Sequence, residues 1–431
     1  MQYKTENSRS VMRGFTLTMY LFLMMFLVWS LTACSGQSIT SEYELPYTSP
    51  TEDTPTSTSE PRDSDLTPFT SEEVVIGEGG SWPLGGTLTT PSGASADEAV
   101  PAVVIVHGSG PIDRDGSIMG NRIYYEIAVY LSTHGIAVLR YDKRSFVHGE
   151  ALVSTFGAEM SVLEETIEDA ILAADFLRAD PRIDSERIFI LGHSLGGALA
   201  PGIHANGGDF AGLILLAGSP RCLLDVAIEQ FEAAAIYQGA SAEQFFYTVL
   251  PLIEAGDADA LRIINLELLQ QDTSDLPDEE VIKQMSFFVD SQKNTLAMLP
   301  GMIASMVEVS ALLSDMSLED ARATETGLGN AYYFLSIRRN LLENHLDYLT
   351  LPFLVMQGGR DFQILAGVDF ILYKELLQNH ENVTFILYDD LNHLFMYTTA
   401  TNFAEHAAGI MVPGRIYPRV LRDIVDWVLA Q

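Results

Sequence analysis

Gly192-His193-Ser194-Leu195-Gly196 sets a serine between glycines two residues away on either side. It follows the apolar run Ile188-Phe189-Ile190-Leu191 and opens into Gly197-Ala198-Leu199-Ala200. Strand, sharp turn and helix form the context in which Gly-x-Ser-x-Gly lifts a hydroxyl off a strand end as a nucleophile. Glycine permits so tight a turn without a Cβ clash. The helix N-terminus that follows favours negative charge developing beside the serine.

A serine hydroxyl is a poor nucleophile until a neighbouring base takes its proton, and an acid must hold that base in place. With this motif the partners follow in the order acid, then histidine. His393, in Leu391-Asn392-His393-Leu394-Phe395, falls just after the last expected strand, whereas His380 and His406 fall in helical or loop contexts. Asp361, in Gly358-Gly359-Arg360-Asp361, follows the strand ending Val355-Met356-Gln357. Asp389 and Asp390 are rivals, too near His393 in sequence to reach round its ring. An oxyanion needs two backbone N–H donors. One is expected from Leu195, directly after the serine, and the other from His107-Gly108-Ser109-Gly110-Pro111, with Ser109 favoured and Gly110 the alternative. His107 reads as structural. Asp113-Arg114-Asp115 does not match a calcium loop. It reads as a charge network bracing that loop, with Arg140, Asp142 or Lys143 as partners. No metal is expected, since no cluster has zinc spacing. No cofactor is expected either, and there is no phosphate-cradling Gly-x-x-x-x-Gly-Lys.

These residues need a scaffold that brings them to one edge. Pro101 to Val106 is a continuous apolar run, as a strand buried on both faces requires. Strands are expected at 74–76, 84–88, 136–139, 187–191, 213–216, 353–356 and 383–387. Between them helices are expected at 124–132, 163–177, from Ser194, 366–377 and 419–429. Such alternation gives an α/β fold with a mainly parallel central sheet and helices on both faces. After Pro220 it stops. Until about Leu346 the pattern is almost wholly helical, as at 223–237 and 257–269, which reads as a large helical cap inserted after the sixth strand, over the carboxyl edge where ligands bind in open α/β sheets. Met298, Met302, Met306, Phe245 and Phe246 there either line an acyl pocket or form the cap's own core, the latter favoured. The expected division is a core over 73–220 and 347–431, with a cap over 221–346.

The 431-residue chain carries a formal net charge of −34, which argues against a nucleic-acid partner because phosphate would be repelled. Lys4, Arg9 and Arg13 precede an apolar run from Phe15 to Trp29, and residues 35–72 are rich in Ser, Thr, Pro and acid. That is a secretory signal followed by a solvated tether. Leu31-Thr32-Ala33-Cys34 resembles the lipobox of bacterial lipoproteins. The resemblance implies removal of residues 1–33, a lipid on Cys34 and an extracytoplasmic protein anchored to the cell membrane. Cys222 then stands alone and cannot form an intrachain disulfide.

Together, the 107–111 and 113–115 segments, Arg140-Tyr141-Asp142-Lys143-Arg144, the elbow, Gln357 to Asp361 and Leu391 to Phe395 resemble bacterial α/β-hydrolases near the serine aminopeptidase-like and dienelactone hydrolase-like esterases. The likeness runs from about Val74 to Gln431. It implies the α/β-hydrolase fold, with Ser194, Asp361 and His393 at the triad positions. One departure is Ser145-Phe146, where the group usually has glycine after the Lys-Arg pair. The expected activity is ester hydrolysis through an acyl-serine. A peptidase or amidase using the same triad is the alternative, with an acidic cap residue such as Glu254 binding a substrate ammonium group. A non-catalytic surface binding lipoprotein is the third reading.

Overall fold

The computed structural model describes residues 68–431, apart from 269–270 and 327–328. The signal segment, Cys34 and nearly all of the tether lie outside the described residues. An eight-stranded sheet comprises β1 (Phe69–Ile76), β2 (Leu84–Pro91), β3 (Val100–Val106), β4 (Ala137–Tyr141), β5 (Ile183–His193), β6 (Gly212–Leu216), β7 (Phe353–Gly358) and β8 (Val383–Tyr388), in the order β1-β2-β4-β3-β5-β6-β7-β8. β2 runs antiparallel to both β1 and β4; the pairs from β4 to β8 are parallel. The sheet is therefore mainly parallel, as the alternating pattern requires.

Successive side chains of a strand point to opposite faces, and both faces here are apolar. Ala102, Val104 and Val106 of β3, with Ile188 and Ile190 of β5, join one buried cluster. Val103, Ile105, Phe189 and Leu191 from the same strands join the other. This explains why the central strands read as unbroken apolar runs. One face is covered by α3 (Glu168–Arg178) and α4 (Leu195–Ile203). The opposite face is covered by α1 (Ile123–Thr133) and α12 (Pro418–Ala430). In α12 the buried residues Val420, Leu421, Ile424, Val425, Trp427 and Val428 recur at helical spacing, so one stripe meets the sheet.

Several elements differ from the sequence reading. β1 begins at Phe69, inside the stretch read as tether, because Phe69 to Glu72 pair with Pro91 to Leu88 at the sheet edge. An edge strand tolerates polar residues on its open side, so its composition gives little signal. The helix expected over 163–177 begins as a π-helical turn, Leu163–Ile167. An unexpected helix, α2 (Arg144–Phe156), starts at the departing Arg144-Ser145-Phe146 segment and buries the Arg144 guanidinium against Asp169. Beyond α10 (Ile371–Leu376), another unexpected helix, α11 (Phe403–Met411), is capped by Asn402, whose side chain accepts from Glu405 N–H.

The helical insertion follows the sixth strand, as expected. It holds α5 (Leu223–Ala255), α6 (Ala258–Leu268), α7 (Asp278–Leu313), α8 (Leu318–Ala323) and α9 (Ala331–Arg339). At 1.5 Å per residue α5 and α7 each run about 50 Å, and they pack against one another and against α6. Val249, Leu261, Val281, Met285 and Val289 form a small separate core, with Phe245 and Phe246 packed against it. The two phenylalanines thus serve the insertion's own packing. Met306 is buried with the main core, whereas Met298 is exposed. α9 returns into the main core through Tyr332, Leu335 and Ile337. By length and composition α7 is apolar enough to cross a membrane, with a window of mean hydropathy 1.8 of which 22% is buried.

Candidate active site

β3, β5, β6 and β7 end at one edge, where Val106 pairs with Gly192, His193 with Leu216, and Gly358 with Tyr388. At the end of β5, Ser194 adopts φ 56° and ψ −121° and caps α4. A non-glycine residue in the left-handed half of the map costs of order 1–3 kcal/mol and persists only where its surroundings impose it. Here the turn is imposed by contact. A Cβ on Gly192 would lie 2.2 Å from Gly196 O, and one on Gly196 would lie 2.4 Å from Val106 O. Ser194 N–H donates to Leu216 O at 2.9 Å. Ser194 is partly exposed although its neighbours are buried. Leu195 opens α4, and the first N–H groups of a helix lack intrahelical acceptors.

His393 and Asp361, 32 residues apart, meet through Nδ1 and Oδ2 at 2.7 Å. Asp361 is held from several sides. Its Oδ1 accepts from the N–H of Gln363 at 2.8 Å and of Ile364 at 3.0 Å, and its Oδ2 also accepts from Gln357 Nε2 at 2.9 Å. The rival Asp390 is taken by Arg360 at 2.9 Å. The His393 loop is stiffened by Asn392, whose Oδ1 accepts from Leu394 and Met396 N–H. Gly358 lets that loop pass close, since a Cβ there would lie 2.4 Å from Leu391 O. His380 instead contacts the Leu349 carbonyl. His406 stacks on Phe362, the residue after Asp361, with ring centroids 5.7 Å apart.

His393 is tied to the elbow by His193, whose Nε2 lies 3.0 Å from His393 O. A carbonyl only accepts, so Nε2 carries the hydrogen and Nδ1 of a neutral ring is free to accept. Its partner there is Tyr124 OH at 3.3 Å, and that oxygen in turn accepts Gly108 N–H at 3.2 Å. The chain requires a neutral His193. Burial first, then the neighbouring His393, pulls its pKa from 6.5 to about 3. Neither Tyr124 nor the linking role of His193 is legible in sequence, because the chain joins three elements that are distant along it.

On the oxyanion side, Gly108 lies against the serine: a Cβ there would be 3.2 Å from Ser194 Cβ and 3.6 Å from its Oγ. His107 is buried between the rings of Tyr124 and Tyr141, with its pKa lowered to about 3 by burial and then by Lys143. It is structural, as read. The acidic-basic tripeptide braces the loop as expected. Arg114 meets Asp142 at 2.7 Å and Glu73 at 2.6 Å, and Asp115 pairs with Arg140 and Arg122. Glu254 is exposed near the end of α5. The buried Cys222 thiol has its pKa raised to about 11 by burial.

Comparison with known proteins gives the following. A family described as serine aminopeptidase, S33, matches residues 97–399. Esterase EstD of Thermotoga maritima is 30% identical over 347 residues, which are 80% of this chain and 65% of that protein. The chain thus spans about two-thirds of that relative's length. Among solved structures, Est1E from Butyrivibrio proteoclasticus is similar at 14% identity and a TM-score of 0.41, over 83% of this chain and 99% of that one. A puromycin-hydrolysing peptidase of Mycobacterium tuberculosis is similar at 16% identity and a TM-score of 0.44, over 85% and 40%.

Proposed function

The chain belongs to the serine aminopeptidase S33 family of hydrolases, and from that premise we propose that it is a serine hydrolase cleaving carboxylic esters through an acyl-serine. The observation that carries the reading is the His393–Asp361 hydrogen bond, formed at the sheet edge that also bears the strained Ser194 elbow.

In this mechanism His393 Nε2 takes the Ser194 proton as Oγ attacks the ester carbonyl. Asp361 keeps the other proton on Nδ1 and stabilises the imidazolium that forms. The N–H groups of Leu195 and Ser109 hold the oxyanion. The intermediate collapses, His393 returns its proton to the departing alcohol, and the acyl group stays on Ser194. Water, deprotonated by the same histidine, then releases the acid. The insertion acts as a cap over this edge, and Cys34 carries a lipid anchor.

An ester substrate is favoured by the 30% identity to an esterase, and the family's own description supports an aminopeptidase as the second reading. A paired assay separates them. p-Nitrophenyl acyl esters and aminoacyl p-nitroanilides are offered to wild type and to Ser194→Ala. Ester turnover that disappears in the variant is expected; anilide turnover exceeding ester turnover assigns the peptidase reading, and ester turnover that survives Ser194→Ala refutes both.

A further inference from the structure

Lys143 is 1% exposed, yet its ammonium group enters the core beside the oxyanion loop. Its Nζ donates to Gly108 O at 2.9 Å and lies 3.1 Å from Glu165 Oε1. Glu165 Oε2 accepts from Tyr333 OH at 2.5 Å, and Tyr333 sits on α9, the helix that closes the insertion. The same Lys143 donates its backbone N–H to Ile112 O at 3.1 Å, further along the oxyanion loop. Burying an ammonium group is costly unless it is paired and hydrogen-bonded. The charge is met by Glu165, but an ion pair alone does not need the Gly108 carbonyl.

That carbonyl has a geometric consequence. In a planar trans peptide the C=O of one residue and the N–H of the next point in opposite directions. The bond to Lys143 therefore sets the direction of Ser109 N–H, away from Nζ. The other half of Gly108 is also held, its N–H donating to Tyr124 OH at 3.2 Å. The 108–109 peptide therefore cannot flip without taking the Gly108 carbonyl from a buried cation, and the bond to Tyr124 holds the preceding peptide in place. Gly108 itself lies against Ser194.

We propose that Lys143 is a positioning residue for catalysis, fixing the Gly108–Ser109 peptide so that Ser109 N–H is preset for the oxyanion, and that Glu165 and Tyr333 couple this setting to the insertion. The inference rests on the serine hydrolase reading above. It also selects Ser109 over Gly110 as the second donor.

The test uses Lys143→Met in the full chain, with kcat and KM for a p-nitrophenyl ester and Ki for an aryl trifluoromethyl ketone, whose hemiketal oxyanion occupies the same hole. Loss of an oxyanion donor costs about 10²–10³ in kcat, so a misdirected one should cost on the order of 10- to 100-fold. KM should stay near wild type and Ki should rise by the factor that kcat/KM falls. A folded variant with kcat and Ki within about twofold of wild type, or a loss confined to KM, overturns the proposal. Should Lys143→Met fail to fold, Glu165→Gln keeps the volume and the Tyr333 acceptor while removing the charge that holds Nζ. The same signature, smaller, is expected from it, and unchanged kcat and Ki overturn the proposal. Ser194→Ala run alongside separates the two readings: if it retains turnover the hydrolase reading fails, and if it is inactive while the Lys143 and Glu165 variants are normal, only the positioning role fails.

Discussion

At the scale of single residues, Asp361 does two things for the proposed chemistry. Its Oδ2 fixes His393 through Nδ1, and the bonds from Gln357, Gln363 and Ile364 stop the carboxylate from turning away. Asp361→Asn keeps the shape but offers an amide where Nδ1–H needs an acceptor, and so permits the wrong tautomer. In a serine protease that change lowers kcat by about 10⁴, and a drop of that order is expected here with little change in KM. Steady-state kinetics on an ester substrate check it; a loss below about tenfold removes Asp361 from the role. The Asp361–His393 pair and the Ser194 turn are legible in sequence because each residue stands in a short segment directly after an apolar run. Lys143 was legible only as a charged residue near the loop. Its bond to a backbone oxygen leaves no mark on residue type.

Elements set what the residues can do. The central strands were readable because both faces of the sheet are covered, so Ile188 to Leu191 and Leu213 to Leu216 are apolar at every position. The start of β1 was missed because an exposed edge accepts Thr70, Ser71 and Glu72 as readily as a tether does. α2 was missed because its 13 residues carry a mixed pattern and non-helical backbone at His148. Elements also meet through buried neutral histidines, and these give a pH dependence. His107 joins the end of β3 to α1 and β4, and His193 joins β5 to α1 and the His393 loop. Burial, with Lys143 next to one and His393 next to the other, lowers both pKa values from 6.5 to about 3. Below pH 6.5 the unfolded chain binds a proton at each site that the folded chain does not. Stability is thus complete above pH 6.5 and falls as pH drops toward 3, by about 1.4 kcal/mol per pH unit for each ring. Urea midpoints between pH 7.5 and 4 should show the decline, and His107→Gln should make it shallower. Equal slopes for wild type and variant would remove His107 from the account.

For the whole molecule, the sequence reads as an address, a tether and an acidic body, of which the first and nearly all of the second lie outside the described residues. A chain of formal net charge −34 is repelled by anionic headgroups, and at physiological salt that repulsion is screened beyond about 8 Å. On the proposed reading, a tether longer than that would leave the body free while a lipid on Cys34 held it. Two or more acyl chains make a stable anchor. Cys34→Ala is therefore expected to move the protein from washed membranes into the soluble fraction, read by immunoblot. Equal membrane retention of wild type and variant would show that the apolar run from Phe15 to Trp29, and not a lipid, does the anchoring.

In the proposed function Ser194 is a nucleophile activated in the folded protein, and covalent capture reads that activation at the residue itself. A fluorophosphonate probe reacts with an activated serine and leaves a stable adduct whose mass and position can be read on the intact protein and its peptides. One adduct is expected, on the peptide containing Gly192 to Gly196, lost in Ser194→Ala and slowed by Asp361→Asn. An unlabelled wild-type protein, or a label that persists in Ser194→Ala, would contradict it.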